Sequence, residues 1–348
     1  MDNLQTVDQL EDRLSQPTPG LLDDLRKLPG DLLILGVGGK IGPSLARMAR
    51  RALDQLGRKQ DRVIGVDKVI GMPPSGGYDL TAELKKTGIV PVACDLLDRQ
   101  ALAKLPDAPN IIFLAGMKFG TAAGPELTWA MNTLVPAHAA ERYPKSRFVV
   151  FSTGCVYPFV PVTSGGSVEE DPAGPPGDYA NSCVGRERIF TFFSKKNQTP
   201  VTIFRLNYAI DLRYGLLCDL AQKILTGETV DVTMGHVNLL WQRDVNARAL
   251  QCLAHAASPP FILNVTGPET LTVRSLAERL GKLLGTPAKI TGKEADTAWV
   301  SNAAKSVKLF GPPTAGIEQL LVWVAEWAKH GGSTLGKPTH FETRDGKF

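Results

Sequence analysis

Three glycines, Gly36, Gly39 and Gly42, recur at G-x-x-G-x-x-G spacing directly after the apolar run DLLIL and at the mouth of a helical pattern. Lacking Cβ atoms, they let the backbone turn sharply and approach a pyrophosphate, whose charge meets free N–H groups at a helix N-terminus. That is chemistry for holding a dinucleotide. Asp67 closes the next apolar run, RVIGVD, about 25 residues past Gly42. A carboxylate there accepts hydrogen bonds from an adenosine ribose and repels a 2′-phosphate. NAD is therefore favoured over NADP, although the adjacent Lys68 leaves NADP open. Asp95 ends a further apolar run, IVPVACD, and reads either as a partner of the adenine amino group or as a turn-capping residue.

These residues need a scaffold that alternates strand and helix. Residues 31–37 read as a strand, 38–53 as a helix and 62–67 as a strand, one βαβ unit. The alternation continues with a helix at 81–88, a strand at 89–95, a helix at 100–105 and a strand at 110–116. It ends with a helix at 126–142, a strand at 147–154, a helix at 179–194 and a strand at 201–207. Such a rhythm implies a doubly wound parallel sheet. Residues 1–30 carry two short amphipathic patterns (Val7, Leu10, Leu14, then Leu21, Leu22, Leu25, Leu28) and read as a helical extension packed on the main domain.

The domain organisation expected is an extension at 1–30, a dinucleotide-binding domain at 31–206 and a substrate lobe at 207–330. A segment near 238–260 returns to the first domain, and 331–348 is an irregular tail with no readable role.

The 348 residues are 43% hydrophobic and 21% charged, ordinary globular usage that excludes a disordered or coiled-coil chain. A net charge of +4 gives no reason to expect a nucleic-acid partner. The five cysteines are odd in number and spread out, without a C-x-x-C pair or metal-type spacing to the five histidines, so no metal site is expected. They read as reduced thiols of a cytoplasmic protein. The start MDNLQTVDQLEDRL is acidic and polar, unlike a signal peptide, and nothing approaches the roughly 18 continuous apolar residues of a membrane span.

Taken together, the glycine spacing, Asp67, LAGMKFG (114–120), Asn132, FSTGCVY (151–157), DYANSCVGRE (178–187) and RLNY (205–208) resemble the extended short-chain dehydrogenase/reductase family. This is the NAD-dependent epimerase/dehydratase group that includes UDP-galactose 4-epimerase, and the resemblance covers roughly residues 31–330. It implies a Rossmann-type sheet with a smaller C-terminal substrate lobe. It also implies a homodimer formed through the helices near 126–142 and 179–194. NAD would be held by Gly36, Gly39, Lys40, Ile41, Gly42, Asp67, Asp95, Leu96, Leu114, Ala115, Gly116, Lys118, Asn132 and Tyr179. Thr153 takes the place of the residue that hydrogen-bonds the substrate oxygen, Tyr179 that of the acid/base tyrosine, and Tyr157 that of a packing tyrosine.

One departure stands out. The lysine of the family's Y-x-x-x-K pair is replaced by Cys183. An ammonium one helical turn away lowers the phenol's pKa, and a neutral thiol supplies no such charge. Lys118, which follows the fourth strand, is the expected substitute. Arg186, two turns from Tyr179, is a weaker substitute with a side chain long enough to reach inward, and reads first as a solvated helix-face residue.

A second departure concerns phosphate-binding arginines. Val237 stands where nucleotide-sugar members carry one, and TGKEADTAWV (291–300) offers Lys293 but no arginine. Losing such bidentate clamps argues against a nucleotide sugar and for a sugar, sugar acid or polyol met by Thr153, Asn207, His236 and Asn238. The expected function is an NAD-dependent oxidoreductase or epimerase acting on a secondary alcohol. The alternative is a catalytically silent NAD-binding sensor or scaffold.

Overall fold

The structure is a computed structural model that describes residues 4–73, 78–121, 123–337 and 339–347. Seven parallel strands form one sheet: β1 (Leu32–Leu35), β2 (Val63–Asp67), β3 (Val90–Ala93), β4 (Asn110–Phe113), β5 (Arg147–Thr153), β6 (Val201–Leu206) and β7 (Phe261–Val265). Their spatial order is β7-β6-β5-β4-β1-β2-β3. The order reverses on either side of β1, which leaves a crevice at the carboxyl ends of β1 and β4, the place where open α/β sheets bind ligands.

Alternating residues of β1 serve opposite faces, because successive side chains of a strand point to opposite sides. Leu32 and Ile34 join a core with α2 (Pro19–Arg26) and α3 (Gly42–Gln55). Leu33 and Leu35 join a second core with α7 (Val135–Arg142) and α8 (Asp178–Asn197). Both faces of β1 are buried, which explains an uninterrupted apolar run rather than an alternating one. Helices α4 (Leu80–Lys86), α5 (Arg99–Ala103) and α6 (Pro125–Trp129) also flank this sheet.

A third core builds the smaller lobe from α1 (Val7–Leu14), α9 (Leu216–Thr226), α11 (Val273–Leu284) and α13 (Ile317–Lys329), with Trp241 and Trp323 packed 5.3 Å apart at its centre. The N-terminal extension therefore bridges two cores: Leu10 and Leu14 belong to the lobe, Leu21 and Leu25 to the sheet. Asn246 of α10 (Gln242–Gln251) ties the two together by donating to the Leu14 carbonyl at 3.0 Å.

The structure extends the sequence reading at three places. The segment that returns to the sheet does not stop near residue 260, because Phe261–Val265 pairs with β6 as the seventh strand. The helices α12 (Ala304–Phe310) and α13 were not singled out. The described C-terminal residues carry no helix or strand, as the sequence indicates, yet they are anchored, with Phe341 only 2% exposed in the lobe core.

Candidate active site

The glycine loop divides its labour. Gly36 has φ +90°, and a Cβ there would lie 2.6 Å from the Ala115 nitrogen; a Cβ on Gly42 would lie 2.1 Å from the Val37 carbonyl oxygen. Both glycines are demanded by the fold itself. A Cβ on Gly39 would meet nothing closer than the Gly36 oxygen at 3.6 Å, so this position is open to a ligand. Helix α3 begins just beyond, with Ile41 at its cap position offering no side-chain acceptor. No side chain caps its first turn, where Gly42 donates to the Gly39 carbonyl at 3.1 Å and Pro43 carries no N–H.

Asp67 ends β2 beside this loop. One of its carboxylate oxygens accepts from the Gly38 N–H at 2.9 Å and the other from the Val69 N–H at 3.2 Å. Each oxygen keeps acceptor capacity for a ribose hydroxyl. Asp95 is exposed and accepts from the Leu97 N–H at 3.0 Å, the turn-capping role, and Leu96 behind it is buried. Lys68 is exposed.

After β4 the chain runs through Leu114, Ala115 and Gly116 into a clamp. Asn132 lies in a π-helical turn (Ala130–Leu134) between α6 and α7 and is fully buried. It accepts from the Met117 N–H at 2.9 Å and donates to the Met117 carbonyl at 2.9 Å and to Ser182 of α8 at 2.9 Å. Its amide is spent on holding the loop to α8.

Arg186 corrects the expectation of a solvated residue. It is 6% exposed and turns inward, donating to the Phe151 carbonyl at 2.7 Å and to Asn132 Oδ1 at 2.5 Å. Gly116 makes this possible, because a Cβ there would stand 2.2 Å from the guanidinium.

Helix α8 is locked to the sheet by a buried ion pair. Arg205 of β6 reaches both oxygens of Glu187, at 3.0 and 2.8 Å, and donates to the Tyr157 hydroxyl at 2.6 Å. Tyr157 is buried and donates in turn to Asn264 at 2.8 Å, the packing role the sequence indicates. This lock holds the middle of α8, about two turns beyond Tyr179.

Tyr179, Thr153, Lys118, Lys40 and Asn207 line one cavity of about 190 Å³. The Tyr179 hydroxyl shares hydrogen bonds with Thr153 and with the Cys183 thiol. Burial pushes the phenol well above its ordinary 10, and Arg186 and Thr153 oppose this only in part. Burial also pushes the Cys183 thiol up to about 11, so it supplies no charge where a lysine would.

The Lys118 ammonium lies 5.9 Å from the centre of the Tyr179 ring and donates to the Thr339 carbonyl at 3.3 Å. Burial lowers its pKa. Lys40, from the glycine loop, donates to the Ala209 carbonyl at 3.0 Å and packs 4.3 Å over the Tyr214 ring. Burial brings its amine down to about 8, partly offset by Asp211.

The structure brings only one of the three lobe residues proposed for substrate into this cavity. Asn207 is there, donating to the Trp299 carbonyl at 3.1 Å. His236 is not: it sits in a two-residue strand paired with Thr272, away from the cavity. Asn238 is not either, because its amide donates to the Glu269 carbonyl at 3.0 Å and accepts from the Ser301 N–H at 2.9 Å. Val237 between them is fully buried.

Sequence reasoning missed the rest of the lining, notably Tyr208, Tyr214, Trp299 and the tail residues Thr339, His340 and Phe341. Tyr208 could have been found, since it closes the RLNY stretch. The tail carries no periodic signal.

The profile of the NAD-dependent epimerase/dehydratase family matches residues 32–233. No curated protein matches the chain in sequence. Among solved structures it is similar to a dTDP-glucose 4,6-dehydratase from Bacillus anthracis in complex with NAD. The identity is 19% and the TM-score 0.71, over 86% of this chain and 97% of that one. It is similar to a second dTDP-glucose 4,6-dehydratase, from Streptomyces venezuelae, at 20% identity and TM-score 0.71, with the same coverage of 86% and 97%. A UDP-glucose 4-epimerase from Thermotoga maritima aligns at 16% identity and TM-score 0.68, over 86% and 99% of the two chains.

Proposed function

Because the chain belongs to the NAD-dependent epimerase/dehydratase family, we propose that it acts on a secondary alcohol of a small sugar, sugar acid or polyol rather than of a nucleotide sugar. It is an enzyme, and NAD is its cofactor. The chain fits that cofactor: Gly39 leaves an open cradle, the α3 N–H groups are uncapped by a side chain, and Asp67 keeps acceptor capacity beside the loop. Gly36, Gly39, Ile41 and Gly42 would hold the pyrophosphate through the backbone, with Lys40 beside them, and Asp67 the adenosine ribose. When bound, NAD supplies a hydride acceptor.

The observation that carries the proposal is the convergence of Tyr179, Thr153 and Lys118 in one cavity at the mouth of the glycine loop. Thr153 orients the substrate hydroxyl, and Tyr179 exchanges its proton at the phenolic oxygen. Lys118 supplies the positive charge that Cys183 lacks, stabilising the phenolate as it forms.

The substrate class rests on the same lining. Among its described residues are Lys40, Lys118 and His340 but no arginine and no carboxylate. Bidentate arginine is the usual grip on a diphosphate, whereas lysine, tyrosine and asparagine suit hydroxyls and a single carboxylate. Whether the net reaction is oxidation, epimerisation or dehydration depends on the substrate.

We also propose a cytoplasmic homodimer. Leu127, Trp129 and Leu134 on the α6–α7 segment and Phe192 on α8 are exposed apolar side chains on helices that pack together, and the five cysteines are free. Among the described residues no helix is long and apolar enough to cross a membrane.

The test is purified protein incubated with NAD and a panel of sugars, sugar acids, polyols and nucleotide sugars, with products identified by mass spectrometry. Conversion of a free sugar, sugar acid or polyol is expected. Conversion confined to nucleotide sugars would overturn the substrate class.

A further inference from the structure

The C-terminal segment does more than cover the surface. Residues 331–347, residue 338 aside, leave α13 and cross the lobe, and Thr339, His340 and Phe341 enter the lining of the cavity that holds Tyr179. Polar anchors recur along the segment. The Ser333 carbonyl accepts from Trp327 Nε1 at 3.0 Å, and the Leu335 N–H donates to the Arg213 carbonyl at 3.0 Å. Asp219 of α9 accepts from both the Thr339 N–H, at 2.8 Å, and its hydroxyl, at 2.5 Å. Glu342 pairs with Lys223.

Arg344 donates to the Thr297 carbonyl at 2.8 Å and its hydroxyl at 2.7 Å while stacking 4.4 Å over Phe159. Gly346 packs against Gly177, where a Cβ would lie 2.5 Å from the Gly346 oxygen, at the residue that precedes α8 and two before Tyr179. His340 has φ +54°, a left-handed conformation that side chains other than glycine seldom adopt. Its neighbours on both sides, Thr339 bonded to Asp219 and Phe341 buried, hold it there.

We propose that this segment is a built wall of the active site that acts as its size filter, with Thr339, His340 and Phe341 as specificity-determining residues that confine the substrate to roughly the size of a monosaccharide. The proposal deepens the substrate class argued above and rests on that reading. With the segment in place the cavity measures about 190 Å³, below the ~300–1,000 Å³ of a pocket for drug-sized ligands. The Thr339 carbonyl also receives the Lys118 ammonium, so the wall helps hold that lysine beside Tyr179.

Cys155 lines the same cavity and reports on it without any need for the substrate. Intact protein, a chain ending at Gly332 and the full-length double variant Asp219→Asn/Arg344→Ala are treated with N-ethylmaleimide and with the bulkier fluorescein maleimide. Alkylation is mapped by peptide mass. Cys252, fully buried in the sheet core, marks an intact fold. Opening the wall is expected to raise the Cys155 rate for the bulky reagent by about tenfold or more, and for the small one by less. The full-length variant keeps Phe341, so it answers even where the shortened chain fails to fold. Equal Cys155 rates in intact and loosened protein would overturn the proposal. Calorimetric titration of NAD into the intact protein reads the underlying function separately: absent binding with the alkylation contrast preserved would sink that function and leave the wall standing.

Discussion

The two halves of the cleft differ in how they use their residues. At the cofactor half, Gly36, Gly42 and Asp67 are each tied to a short-range geometric demand: a backbone approach, a helix start, a carboxylate on the Gly38 N–H. At the proposed reaction half, Thr153 and Tyr179 share one cavity with Lys118, the residue proposed to replace the charge missing at Cys183. The position one turn from the phenol is a neutral thiol, and the nearby ammonium comes from Lys118, on a different segment. On the proposed roles, cofactor binding rests on local backbone geometry, whereas the charge beside the phenol rests on contacts made across the cleft.

The sharpest way to break this contrast lies within the glycine loop. Gly42→Ala places a methyl against the Val37 carbonyl and is expected to cost about 3 kcal/mol of stability in denaturant melts. Gly39→Ala meets the Gly36 oxygen at an ordinary contact distance of 3.6 Å; it is expected to leave stability within about 0.5 kcal/mol while weakening NAD binding by calorimetry. Equal stabilities would show that the loop is not divided between fold and ligand.

The reaction half is sharpened by pH. Because burial holds the Tyr179 phenol well above 10, its ionised form is scarce throughout the neutral range and grows with each unit of pH. The rate of alcohol oxidation is expected to rise about tenfold per unit between pH 7 and 9. A plateau below pH 9 would mean that the phenol ionises lower than its burial implies. Lys118→Ala is then expected to lower kcat by about tenfold or more, and Cys183→Ala by less. The reverse order would remove Lys118 as the substitute.

The sequence made the cofactor half legible because its signals are local. The strand, glycine loop and helix of β1–α3 are contiguous, and Asp67 closes the very next strand. What it hid depends on packing between distant segments. Arg186 faces inward because Gly116, some seventy residues earlier by count, makes room for it. His236 and Asn238 looked available as polar residues in a turn, but the lobe uses Asn238 to join the Glu269 and Ser301 backbones and pairs His236 with Thr272. Strand β7 follows a Ser-Pro-Pro stretch and is the sheet edge, with Phe261 and Ile262 only partly buried. The C-terminal segment is rich in glycine and polar residues, so the deeply buried Phe341 produces no periodic pattern.

Tyr179→Phe tests the central claim most directly. It removes one oxygen from the cavity and nothing from the glycine loop, and the comparison needed is product formation from the sugar panel by NAD-loaded wild-type and variant protein. The account predicts conversion by the wild type and a loss of about a hundredfold or more in the variant, with NAD affinity unchanged. Equal conversion by both proteins would contradict it.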